Sequence, residues 1–110
     1  MFSSQDKLFM ERAIELAKES FDDGEVPVGA VIVQNEMIIG EGKNKVIFEN
    51  DVTSHAEINA IRAASKKIKN YRLNDCSMYV TLEPCHMCAK AAVDARISSV
   101  IFAASEPKTG

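Results

Sequence analysis

The chain has 110 residues, 46% of them apolar and 26% charged, a balance that supports one buried core and excludes both a disordered tract and two independent domains. Its net charge of −3 speaks against tight nucleic-acid binding through a basic face, since such binders draw affinity from many phosphate contacts. The run VPVGAVIV at 26–33 is far too short to cross a bilayer and MFSSQDKLFMERA lacks the apolar stretch of a signal peptide, so a cytoplasmic protein without membrane association is predicted.

In chain order, Ser3 and Asp6 predict a helix start, and Phe9, Met10, Ala13, Ile14, Ala17 and Phe21 then recur on one face before Gly24 offers a stop. VPVGAVIV reads as a buried strand, QNE as a turn and MIIGEG as a second strand, together an antiparallel hairpin with Pro27 at a strand start or edge. A polar segment through Asp51 leads to a helix from about His55 to Lys67, with Ile58, Ile61, Ala64 and Ile68 facing inward. Lys66, Lys67, Lys69 and Arg72 fit the end of that helix and a solvated loop. After NYRLND come the strand SMYVTL, an alanine-rich helix from about Pro84 to Ala95 and the strand SVIFAA. The order is that of an α/β protein with a mixed sheet, its last part a βαβ unit. The chain stops at SEPKTG just past its last strand, and nothing follows to cover that side of the sheet, which hints at further elements beyond it.

The chemistry centres on PCHMC at 84–88 and SHAE at 54–57. Proline suits the first position of a helix, which would set Cys85 and Cys88 roughly 60° apart around its axis, both thiols facing one way near a helix N-terminus that favours thiolates. In a reducing cytosol three cysteines argue against structural disulfides, and a CxxC beside a βαβ unit fits either a metal clip or a redox pair. His86 would point roughly 100° away from Cys85 and reads as a rim or surface residue. Cys76, at the far end of SMYVTL and roughly 20 Å distant, reads as a core or surface thiol. A zinc held here needs a third ligand, and His55 is the other of the two histidines.

SHAE has its own local reading, because Ser54 and Glu57 have the spacing of a capping box. Helical side chains lean toward the N-terminus, however, so two helices starting at one sheet edge bring their first turns together where open α/β sheets place ligands. With His55, Cys85 and Cys88 as ligands, zinc keeps an open fourth position for water, the catalytic pattern, and Glu57 stands beside that water as a base.

HAE followed at an interval by PCHMC resembles the signature of the zinc-dependent nucleobase deaminases. The surrounding phrases GEVPVGAVIV, GEGKNK, HAEINAI, NYRL and YVTLEPCHMC resemble the bacterial tRNA-specific adenosine deaminases of that superfamily, over nearly the whole chain. The resemblance implies His55, Cys85 and Cys88 as zinc ligands, Glu57 as proton shuttle, Asn44 as a hydrogen-bond partner of the base, and Val26 and Ala56 as lining of the base pocket. It implies a three-layer α/β/α cytidine-deaminase-like fold, a single deaminase domain over residues 1–110, and a homodimer sharing a tRNA anticodon stem-loop. The implied reaction turns the wobble adenosine into inosine at C6 with release of ammonia. Such proteins continue past KTG with a further strand and helices, including a basic segment, so these C-terminal elements are expected to be missing. Glu106 stands where aspartate is usual and Ser105 at a variable position, which predicts an altered context preference. Competing readings are a zinc deaminase of a small free base or nucleoside such as guanine or cytosine, a non-catalytic zinc-binding RNA module, and a Cys85–Cys88 redox pair.

Overall fold

The computed structural model describes residues 3–104. Helix α1, Ser4–Asp22, opens with the capping box anticipated from Ser3 and Asp6, each side chain accepting the other residue's backbone N–H at 3.1 Å. Its buried face is Phe9, Met10, Ala13, Leu16, Ala17 and Ser20, so the stripe is rotated from the one expected: Ile14 and Phe21 are exposed. Ser20 helps to set the rotation, since its hydroxyl lies in the interior donating to the Asn44 carbonyl at 3.2 Å.

Strands β1, Gly29–Gln34, and β2, Met37–Lys43, form the expected antiparallel hairpin. Its turn is Asn35–Glu36, with φ of 51° and 63°, the double positive φ of a type I′ connection. Pairing shifts between Ile32 opposite Gly40 and Val33 opposite Ile38, leaving Ile39 as an extra residue on β2. Helix α2, Val46–Glu49, is a single turn inside the segment read from sequence only as polar; Asn50 closes it in the left-handed region. Helix α3 spans Ala56–Ile68, β3 Cys76–Leu82, α4 His86–Asp94 and β4 Ser99–Ala104.

The four strands run in the order β2-β1-β3-β4, with β1 antiparallel to both neighbours and β3 parallel to β4 across the α4 connection. Alternation along each strand makes two cores. Val31, Val33 and Tyr79 meet α1 on one face, while Ala30, Ile32, Met78 and Val80 meet α3 and α4 on the other. This is the mixed α/β/α sandwich the sequence implies. Val31, Ile32, Met78 and Val80 are fully buried, each contributing roughly 1.5–3 kcal/mol through removal from water.

The inward face of α3 differs from the aliphatic one expected. Ala56, Ala60 and Ala64 are its buried apolar residues, Ile61 and Ile68 pack at the margin, and Ile58 is half-buried. The reason lies on β2, where a Cβ on Gly42 would stand 2.2 Å from the Ala56 carbonyl oxygen and one on Gly40 2.6 Å from that of Ala60. Glycines below and alanines above let the helix lie directly on the strand, and a larger inward residue would lift it off. Among the described residues no helix is long and apolar enough to cross a membrane. Ser105, Glu106 and the chain end at SEPKTG lie outside the described residues.

Candidate metal centre and cleft

Two helices begin side by side at one edge of the sheet, and neither begins as the local sequence suggests. PCHMC places Cys85, not Pro84, at the boundary of α4: Cys85 is an extended N-cap with φ −71° and ψ 175°, and His86 is the first helical residue. His55 is the extended N-cap of α3. Neither side chain caps its own helix, so both are free to turn to the gap between the two N-termini. There His55 Nδ1 lies 3.7 Å from Cys85 Sγ and 3.5 Å from Cys88 Sγ, one ligand atom from each residue within 4.8 Å of the others.

These spacings fit zinc. With bonds of about 2.3 Å to sulfur and about 2.05 Å to nitrogen, tetrahedral geometry puts S and N about 3.6 Å apart. Burial first, then Glu57 and Cys85, push the Cys88 thiol well above the usual range, so a metal binding here has to displace its proton. Acidic groups gathered in a dry site hold their protons unless a cation offsets them, and a dication does so. The three cysteines are free thiols; Cys76 is buried in the core and Cys85 is exposed, as is His86.

The capping box expected of Ser54 and Glu57 does not form. Ser54 Oγ instead donates to Glu49 Oε1 at 2.6 Å and accepts from Asn59 Nδ2 at 3.1 Å, which fastens the loop ahead of His55. Glu57 faces the cleft, only 4% exposed, and its carboxyl is raised above the ordinary range by burial, against smaller opposing effects of its own backbone N–H, His55 and Cys88. A carboxyl so shifted can hold and release a proton nearer neutrality.

The cleft beside the cluster measures about 340 Å³. Val26, Val28 and Ile47 wall it with apolar surface, and Asn44, His55, Glu57 and Cys85 supply its polar groups. Val26 stands at the mouth, 61% exposed. Asn44 is buried, and its Oδ1 accepts the Ala56 N–H at 2.8 Å, satisfying an amide that the first turn of α3 leaves unpaired. Ala56 is fully buried beneath and is not part of the lining found for the cleft. Sequence reasoning missed Glu25, a buried carboxylate on the cleft that accepts the Ile47 N–H at 3.1 Å and the Phe48 N–H at 2.9 Å. Its partners lie 22 and 23 residues away, beyond any local pattern.

A sheet with two helix starts gathering one imidazole and two thiols beside a buried carboxyl is the architecture of a zinc-dependent deaminase. Residues 3–104 match the family model of the cytidine and deoxycytidylate deaminase zinc-binding region, and the chain belongs to that family. It is 56% identical over 99 residues to the tRNA-specific adenosine deaminase of Buchnera aphidicola subsp. Baizongia pistaciae, covering 90% of this chain and 61% of that one. Two solved structures superpose closely. A guanine deaminase from Bacillus subtilis has 44% identity and a TM-score of 0.89, covering 94% of this chain and 66% of that one. A structure from work on A-to-I editing by tRNA deaminases at the wobble position of transfer RNA has 43% identity and a TM-score of 0.90, covering 93% and 78%. The chain thus spans roughly two thirds of the length of several relatives it matches.

Proposed function

We propose that residues 1–110 form one deaminase domain that converts the wobble adenosine of a tRNA anticodon to inosine, adenosine and water giving inosine and ammonia. The observation that carries this reading is the cleft lined together by His55, Cys85, the buried Glu57 and Asn44, with Cys88 completing the metal-ligand cluster. The similarity to tRNA-specific adenosine deaminases supports the choice of substrate.

His55, Cys85 and Cys88 would hold the metal. Zinc held there would supply a Lewis acid that lowers the pKa of a water and stabilises negative charge on the oxygen added at C6. Glu57 takes the proton that the water loses, delivers it to N1 of the adenine, and assists protonation of the amino group that departs as ammonia. Asn44 has committed its oxygen to Ala56, so its NH₂ is the end that can donate to the base. Val26 and Ile47 offer apolar surface to the purine faces and exclude water around it. An adenosine enters such a cleft only when splayed out of a stack, as in a single-stranded loop. The reading extends to a homodimer sharing the RNA and to action in the cytoplasm.

A second reading, deamination of a free purine, is favoured by the guanine deaminase structure at 44% identity. One experiment separates them. Zinc-loaded protein is incubated with an RNA stem-loop carrying wobble adenosine and, in parallel, with guanine, and products are read by mass with Glu57→Ala as control. Inosine from the unaltered protein alone supports the tRNA reading; xanthine without inosine replaces it with the second.

A further inference from the structure

Helix α2 forms part of the cleft wall through Val46 and Ile47, yet its own sequence supplies little beyond the Asn50 closure to stabilise it. It is one turn long, none of its residues is buried, and its N-cap Lys45 makes no side-chain cap. A single turn has no cooperative reserve, so it persists only where other parts of the structure hold it. Its ends are tied to the following loop, Lys45 N–H donating to the Ser54 carbonyl at 2.9 Å and Glu49 accepting from Ser54 Oγ at 2.6 Å. Those ties fix the segment to the loop. Just ahead of the helix, Asn44 N–H donates to the Val28 carbonyl at 3.3 Å, but none of these bonds links the first turn of α2 to the segment at Val26.

Glu25 makes that connection. Its backbone N–H donates to the Ser20 carbonyl at 2.9 Å, which anchors it to the end of α1. Each carboxylate oxygen accepts one of the two consecutive first-turn amides of α2, those of Ile47 and Phe48. A carboxylate facing two amides gains from two charge-assisted bonds. With 7% exposure the clamp is shielded from competing water.

We propose that Glu25 is a positioning residue for substrate, clamping the first turn of α2 so that Ile47 is held in the cleft lining together with Val26 and Val28. The proposal rests on the deaminase reading of this cleft but not on the choice of RNA over free base. Glu25 reaches no reacting atom in it; its influence passes through the α2 backbone. Glutamine at this position keeps one acceptor but turns an NH₂ group toward the second amide, and alanine removes both acceptors.

The test has two arms on the zinc-loaded chain. The first is amide hydrogen exchange of Ile47 and Phe48 without substrate, in the unaltered protein, Glu25→Gln and Glu25→Ala, with zinc content confirming that the metal cluster survives. Protection should fall by about tenfold or more in the alanine variant, as expected for losing charge-assisted bonds, and by less in the glutamine variant. The second is steady-state kinetics on the stem-loop, where KM should rise by about tenfold while kcat falls by less than about threefold. Unchanged protection of both amides in Glu25→Ala overturns the clamp. Lost protection with an unchanged KM, or a fall in kcat as large as the rise in KM, overturns its role in positioning substrate. If the unaltered protein turns over guanine and not RNA, the substrate assignment falls and the same KM comparison is made with guanine.

Discussion

Asn44 Oδ1 accepts the backbone N–H of Ala56 at 2.8 Å, and this bond decides which end of the Asn44 amide is left for the cleft. It also joins a cleft residue directly to the amide that follows His55. Asn44→Asp keeps the acceptor and exchanges the donor for a second oxygen. The fold should survive with a lowered thermal midpoint, because a new carboxyl is buried beside Glu57, while turnover falls by about tenfold or more. Asn44→Ala removes the cap as well and should cost about 1 kcal/mol of stability in addition to activity. Thermal melts run beside turnover assays check both, and a fully active Asn44→Asp would refute the donor assignment.

Glu57→Gln separates metal binding from proton transfer. The amide is nearly isosteric and removes a carboxyl that burial disfavours in its charged form, so stability should hold or rise slightly. Zinc should remain bound, and turnover should drop on the order of 10²–10⁴-fold. Metal analysis of the purified variant alongside its rate gives the answer; loss of zinc would mean that Glu57 supports the ligand cluster rather than the chemistry.

Removal of the metal should be felt in the fold, because the cluster pins the first turns of α3 and α4 together. A chelator should lower the thermal midpoint, and Cys85 and Cys88 should become reactive toward a thiol reagent only after chelation. A disulfide cycling between them in untreated protein, with no metal bound, would instead restore the redox reading.

The pH dependence of stability should carry a mark from Tyr79, whose hydroxyl donates to Asp6 at 2.5 Å and ties β3 to the first turn of α1. Burial, reinforced by Asp6, pushes the phenol up to about 12. The folded state therefore favours the protonated phenol. That contribution is complete below about 10, its ordinary value, and is lost as pH climbs from there toward about 12. Asp6 is held below the usual carboxylate range, chiefly by the Tyr79 hydroxyl. Its contribution is present above the ordinary carboxylate value and vanishes as pH falls through the lowered one. Tyr79→Phe should thus be less stable at neutrality and show a flatter urea midpoint on both the acid and the alkaline limbs. A variant with unaltered limbs would mean that the pair contributes nothing.

Gly42→Ala should be the most damaging single methyl in the molecule's catalytic half. Its Cβ would meet the Ala56 carbonyl at 2.2 Å and the Ala60 amide nitrogen at 2.4 Å, backbone atoms that cannot step aside. A cost of about 3 kcal/mol is expected, at the upper end for an overpacked core, together with weaker zinc affinity as His55 moves with its helix. Urea unfolding and a competitive zinc titration measure the two effects.

Much of this molecule is legible in its residues, and the exceptions share a cause. The capping box at Ser3 and Asp6, the hairpin around Asn35–Glu36 and the strands SMYVTL and SVIFAA are local signals, and they appear where the pattern puts them. The grouping of His55 with Cys85 and Cys88 is non-local but follows from chemistry, since zinc needs a third donor and the chain has few candidates. What escapes is whatever a distant partner decides. Ser54 and Glu57 have the spacing of a cap, but Glu49 and Asn59 claim the hydroxyl and the cleft takes the carboxyl. Leu16 and Ser20 replace Ile14 and Phe21 inside because the strands beneath α1, and the Asn44 carbonyl, set its rotation. Helix α2 takes the partners of two first-turn amides from Glu25, which no window of its own sequence contains.

The glycine-on-alanine seam between β2 and α3 divides the cleft into two halves with opposite tolerance to change. On the seam side, a Cβ added at Gly40 or Gly42 collides with helix backbone, so His55 and Glu57, at the start of α3, ride on a platform that has no intermediate sizes to sample. On the other side, α2 buries nothing, and Ile47 and Phe48 are 68% and 78% exposed. Substitutions there meet water instead of packed atoms. Change at Gly40 or Gly42 is thereby refused by backbone, while change at Ile47 or Phe48 is taken up by solvent.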